Sequence, residues 1–133
     1  MPTIKAREHF SDPYFQVIHV GPPVNPPGQF AVGDVLLGDR PLYDPVTGNQ
    51  MGTLTFRGTI IREFTDGDQL FGVSAEFKLS KGTFAVQDSF RFSSIQNTGA
   101  IVGGTGDFDK ARGTSTRTVI DANTVEFTLV YTP

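Results

Sequence analysis

From Gly52 onward the chain alternates apolar and polar positions with the two-residue period of strands, not the 3.6-residue period of helices. Leu54, Phe56, Gly58 and Ile60 fall on one face, and Thr53, Thr55, Arg57 and Thr59 on the other. A turn at Asp66-Gly67-Asp68 leads to Phe71, Val73, Ala75, Phe77 and Leu79, set against Gly72, Ser74, Glu76 and Lys78. Ser80-Lys81-Gly82 turns the chain again, and Phe84, Val86, Asp88, Phe90 and Phe92 then oppose Thr83, Ala85, Gln87, Ser89 and Arg91. The last run sets Val125, Phe127, Leu129 and Tyr131 against Glu126, Thr128 and Thr132. Near the start, Ile4, Ala6, Glu8 and Phe10 share a face with Lys5, Arg7 and His9 opposite, until Ser11-Asp12-Pro13 ends the strand. Tyr14 to Val20 reads as a short extended piece and Ala31 to Leu37 as the next strand. Gly38-Asp39-Arg40-Pro41-Leu42-Tyr43 and a turn over 44–49 follow it. Between these runs Gly21-Pro22-Pro23-Val24-Asn25-Pro26-Pro27-Gly28 predicts a stiff connector, the alternative being a ligand for an SH3-type domain.

About eight such strands with short turns, each with one apolar face, read as a meander. Closing the sheet removes its exposed edges, so the expected fold is all-β: a closed eight-stranded antiparallel up-and-down barrel with an apolar lumen. A two-sheet sandwich is the other arrangement the pattern allows. The stretch from Ala100 to Gly113 carries Gly103, Gly104 and Gly106, which suggests a phosphate-cradling loop. Such a loop needs a helix after it, whereas the β-branched run Thr114 to Ile120 follows, so a structural β-corner is expected.

With 133 residues the chain suits one barrel domain: residues 1–30 form the first strand and proline-rich connector, 31–133 the core. A net charge of −3 with scattered basic residues leaves no footprint for nucleic acid or a membrane surface. The absence of cysteine excludes disulfides, thiol catalysis and thiolate-held metal, and His9 and His19 lie too far apart in pattern to suggest a metal site. No metal or cofactor is expected. The opening residues lack the apolar core of a secretory signal, and no apolar run is long enough to cross a bilayer. A soluble, cytoplasmic protein is therefore the expectation.

Two carboxylates break the pattern, because Glu8 and Asp88 each occupy an apolar face. A buried carboxylate must be paired, hydrogen-bonded or protonated. Either each reaches water at a barrel mouth, or it is a lumen acid suited to proton transfer or to stabilising developing positive charge. Arg40, Arg57, Arg91 and Arg112 are the candidate partners, Arg40 foremost because it ends a lumen-forming strand. The rings of Phe10, Phe56, Phe77, Phe90 and Phe127 line the lumen as a substrate-binding surface. Tyr43 and Tyr131 offer hydroxyl groups at the barrel ends. His9 belongs to the polar face, and no Ser-His-Asp or Cys-His set is present.

Several motifs resemble the allene oxide cyclase and dirigent barrel superfamily. They are Gly33-Asp34-Val35-Leu36, Pro41-Leu42-Tyr43, Gly52-Thr53 and Gly82-Thr83-Phe84-Ala85-Val86-Gln87. The most specific is Gly103-Gly104-Thr105-Gly106-Asp107-Phe108 with Ala111-Arg112-Gly113 after it. The resemblance implies an eight-stranded barrel, a hydrophobic cavity, no cofactor and a homodimer or homotrimer. It places the family's first-strand glutamate on Glu8. Phe10, Gly58 and Phe90 stand where the cyclases carry a polar asparagine, a cysteine and a tyrosine. The dirigent pattern brings Asp107, Arg112 and the Asp39-Arg40 pair into consideration.

The expected activity is cofactor-independent: a cyclase or isomerase that folds and ring-closes an apolar, unsaturated small molecule within the lumen. Glu8, Asp88 and Arg40 are its catalytic candidates. A dirigent-type module that only orients a hydrophobic ligand is the alternative. A structural barrel plugged by its twelve phenylalanines is a third reading.

Overall fold

Residues 1–21 and 30–133 are described by a computed structural model, in which alternation has become a sheet of nine antiparallel strands. They are β1 (Thr3–His9), β2 (Phe15–Ile18), β3 (Val35–Tyr43), β4 (Gln50–Glu63), β5 (Gln69–Leu79), β6 (Gly82–Arg91), β7 (Gln96–Gly106), β8 (Arg112–Val119) and β9 (Thr124–Thr132). No helix occurs among the described residues. From β3 to β9 each strand pairs with the next, β9 pairs with β1, and β1 returns to β3 through Arg7 opposite Tyr43. The result is a closed eight-stranded barrel with β2 as one additional strand, not a sandwich.

β2 lies beside β3 along the same flank that β1 closes: Phe15 opposes Gly38 and Ile18 opposes Val35, both strands running antiparallel to β3. β1 and β2 are thus successive pieces of one line, broken where Tyr14 adopts a positive φ of 69°. Asp39 N–H donates to the Tyr14 carbonyl at 3.0 Å, which anchors the break. Pro41, which has no N–H to donate, sits on β3 in the gap between these two pairings.

The strand expected over Ala31–Leu37 begins later and extends further, as Val35–Tyr43. Asp34 explains the delay. Its fully buried carboxylate accepts N–H bonds from Ala31 (2.9 Å) and Val20 (3.1 Å) and contacts His19 Nδ1 at 2.9 Å, fastening a loop where strand was expected. The proline-rich connector, with its SH3-ligand alternative, lies outside the described residues beyond Gly21.

The inward faces fill one half of the barrel completely. Phe84 stacks on Phe108 with centroids 4.0 Å apart, Phe77 meets Phe127 edge-on at 5.0 Å, and Leu42 and Leu129 are fully buried around them. Phe108 comes from the glycine-rich corner between β7 and β8, whose following segment is strand. A Cβ on Gly104 would stand 2.4 Å from the carbonyl oxygens of both Phe108 and Thr83, so only glycine lets this corner fold inward. The corner is architecture, and it caps the closed end.

Candidate functional site

The other half of the barrel holds a cavity of about 450 Å³. Phe56, Phe71 and Phe90 form its walls, and the partly exposed rings of Phe10, Phe15 and Phe92 stand at its mouth. Glycines on the inner face make room for these rings. A Cβ at Gly38 would come within 2.2 Å of the Phe56 ring, and one at Gly58 within 2.4 Å of Phe71. Phe77 and Phe127 divide the cavity from the filled end.

Charged groups reach this apolar space from four strands. Glu8 on β1 and Arg40 on β3 are 7% and 5% exposed. Arg40 Nη1 donates to the carbonyls of His9 (2.8 Å) and Phe10 (3.1 Å), bridging the gap after β1. Its Nε lies 3.9 Å from Glu8 Oε1, close enough for attraction but not for a hydrogen bond. Burial pushes the Glu8 carboxyl above its ordinary range; Arg40 and Arg117 oppose that shift, and Asp12 adds to it.

Asp88, on β6, accepts a short hydrogen bond from Asn97 Nδ2 on β7. Burial raises its affinity for a proton, while the Ser89 N–H, Arg117 and Asn97 pull the other way. The site opposite it is Gly99, where a Cβ would stand 2.7 Å from Asp88 Cβ, so glycine is what admits the carboxylate. Arg117 on β8 completes the set. Its guanidinium lies over the Phe90 ring at 4.5 Å, and burial lowers its affinity for a proton, with Glu8 and Asp88 counteracting. Arg40 Nε, Asn97 Oδ1 and Arg117 Nη1 are all buried without a hydrogen-bond partner among the described residues.

Of the residues singled out in the sequence, Glu8, Arg40 and Asp88 meet at this cavity with Phe10, Phe56, Phe77, Phe90 and Phe127. Four others lie elsewhere. Tyr43 is on the outer face of β3, its ring 5.0 Å from that of His9. Tyr131 faces inward at the closed end, edge-on to Phe84 and Phe108. Asp107 and Arg112 are exposed at the corner that caps that same end, far along the barrel from the mouth. Among the other arginines considered as partners, Arg57 is exposed on the outer face and Arg91 pairs with Asp66 and Asp68.

Sequence reasoning missed Arg117, Asn97 and Ser115, which also lines the cavity. β8 is rich in threonine and offers no apolar face from which to read a phase. The phase is set by its neighbour: Ser115, Arg117 and Val119 oppose the inward Leu129, Phe127 and Val125 of β9. That pairing was the available signal. Among the described residues no group of His, Asp and Glu side chains is arranged to hold a metal, and no helix is long and apolar enough to cross a membrane.

The fold is shared with solved structures of low sequence identity. The pterocarpan synthase dirigent protein GePTS1 superposes with a TM-score of 0.81 at 19% identity, over 98% of this chain and 88% of that one. Pyocyanin demethylase gives 0.77 at 22% identity, over 98% and 100%. AbnU, an exo-specific intermolecular Diels-Alderase, gives 0.70 at 15% identity, over 98% and 96%. No curated protein matches the sequence significantly. The family model for dirigent-like proteins matches residues 7–132, nearly the whole barrel from β1 to β9. The chain belongs to the dirigent-like protein family.

Proposed function

We propose that the barrel is a cofactor-independent cyclase or isomerase that folds and ring-closes an apolar, unsaturated small molecule in its lumen. The observation that carries this reading is a half-filled barrel whose remaining cavity is walled by phenylalanine yet contains the carboxyls of Glu8 and Asp88. The rings exclude water and hold a flexible substrate in a reactive fold, and orientation alone lowers the barrier to closure. Glu8 is the general acid or charge stabiliser. Its raised proton affinity suits a carboxyl that gives a proton, or a strong hydrogen bond, to a substrate oxygen. Arg40 is a positioning residue: held by the His9 and Phe10 carbonyls, it limits how far Glu8 departs from ordinary acidity. Asp88 is the second acid, across the lumen. The likeness to a Diels-Alderase supports cyclisation chemistry for this type of barrel.

Membership in the dirigent-like family favours a second reading, in which the lumen orients a ligand without transforming it. The two separate in one experiment. The protein is incubated as sole addition with a panel of epoxy fatty acids and linear polyenes bearing a dienophile, and products are resolved by chiral chromatography with mass detection. Ring-closed, stereochemically enriched product supports the cyclase. Unchanged ligand that nevertheless co-elutes with the protein supports the orienting module. A homodimer or homotrimer is part of the same proposal, supported by a concave outer face over β3–β6 that includes Arg57, Glu76 and Gln87. Light scattering on the eluted protein checks it.

A further inference from the structure

We propose that Arg117 anchors an acidic oxygen of the ligand, so that the barrel selects apolar molecules carrying one phenolate, enolate or carboxylate function. The inference rests on the reading of the lumen as a ligand site and narrows what that site takes. Every other charged group of the cavity has a hydrogen-bond or close ionic partner. Arg40 is engaged by two carbonyls and lies near Glu8, and Asp88 holds Asn97. Arg117 lines the cavity but makes no hydrogen bond and no ion pair among the described residues, and its Nη1 is buried without an acceptor. Glu8 and Asp88 act on it only through space.

A guanidinium does not escape this by deprotonating, and its five donors sit in a planar fork that fits two-oxygen acceptors. The Phe90 ring covers one face of that fork at 4.5 Å, fixing its plane and leaving its edges as the donating surface. A bound oxyanion would satisfy the orphaned N–H groups in surroundings where such bonds are strong. A wholly neutral hydrocarbon would leave them unpaired, at the cost that attaches to any buried unsatisfied donor. The same arrangement would discriminate between ligands of equal shape that differ only in that charge.

The test uses 2-naphthoate and its methyl ester, two probes of matched shape and different charge. The chain contains no tryptophan, so naphthyl emission reports binding without that background. The unmodified protein should bind naphthoate at least about tenfold more tightly than the ester, the margin expected of one charge-assisted contact. Arg117→Gln should abolish the preference while leaving ester affinity within about twofold, and Arg117→Lys should restore part of it. Equal affinity for both probes on the unmodified protein would overturn the role of Arg117 and leave the lumen standing as a ligand site. A preference that persists in Arg117→Gln, with an unchanged melting temperature, would overturn it too. Binding of neither probe would overturn both this inference and the lumen reading beneath it.

Discussion

Burial of Glu8 sets how the stability of the barrel responds to pH. Because its folded-state proton affinity lies above the unfolded value of 4.5, the ionised form is the penalised one. Stability linked to Glu8 is therefore fully present below pH 4.5 and is lost as pH rises through the raised folded value. Glu8→Gln should flatten that dependence, which urea midpoints measured from pH 4 to pH 8 will show. The same variant, still folded, should lose roughly 100- to 10,000-fold in turnover, the usual weight of a general acid. Unchanged turnover would remove Glu8 from the mechanism. Asp68 has the opposite sign. Bonds from Ser93, and then from Arg91 and the Gln69 N–H, hold its carboxyl down at about 2. Its contribution is present above 3.8 and disappears as pH falls towards about 2, so the stability gap between wild type and Asp68→Asn should close over that window in acid titration.

At the scale of strands, β3 and β4 shape the cavity through a glycine and a ring. Gly38→Ala would place a methyl group where the Phe56 ring now lies, 2.2 Å from its edge, and drive that ring into the lumen. The fold should survive at a cost of about 1–3 kcal/mol, while affinity for any lumen ligand drops by about tenfold. Calorimetry and a thermal melt on the same preparation check both. Strands of this kind were legible in the sequence wherever their inner face was apolar, which is why β4, β5, β6 and β9 were read with correct phase and why Glu8 and Asp88 stood out. β8 was not legible, because threonine on one face and Ser115 and Arg117 on the other carry no hydrophobic contrast. The break between β1 and β2 was legible at Ser11-Asp12-Pro13, but the contact that holds it was not. Arg40, thirty residues away, donates to the backbone carbonyl of Phe10 just after β1. The corner bearing Asp107 and Arg112 sends Phe108 into the closed end of the barrel and leaves both charged residues exposed.

The molecule as a whole is a barrel divided lengthwise into a plug and a chamber. Phe108→Ala would open the plug from below, removing a ring stacked on Phe84 and edge-on to Tyr131. It should cost about 3–5 kcal/mol and lower the melting temperature by roughly 10–20 °C, measured by circular dichroism. The plug takes up many of the phenylalanine rings, and the chamber beside it leaves a cavity where a barrel filled throughout would have none. Closure itself has a temporal side. Thr3–His9 finds its full ladder in residues 124–130, with one further pairing to β3 at Tyr43, so the strand carrying Glu8 is not fully docked until the last strand of the barrel has been synthesised. Contacts so distant along the chain form late and slowly. A nascent or truncated barrel therefore exposes a lumen that holds Asp88 but lacks Glu8, and the two carboxyls come to share one cavity only with completion of the fold.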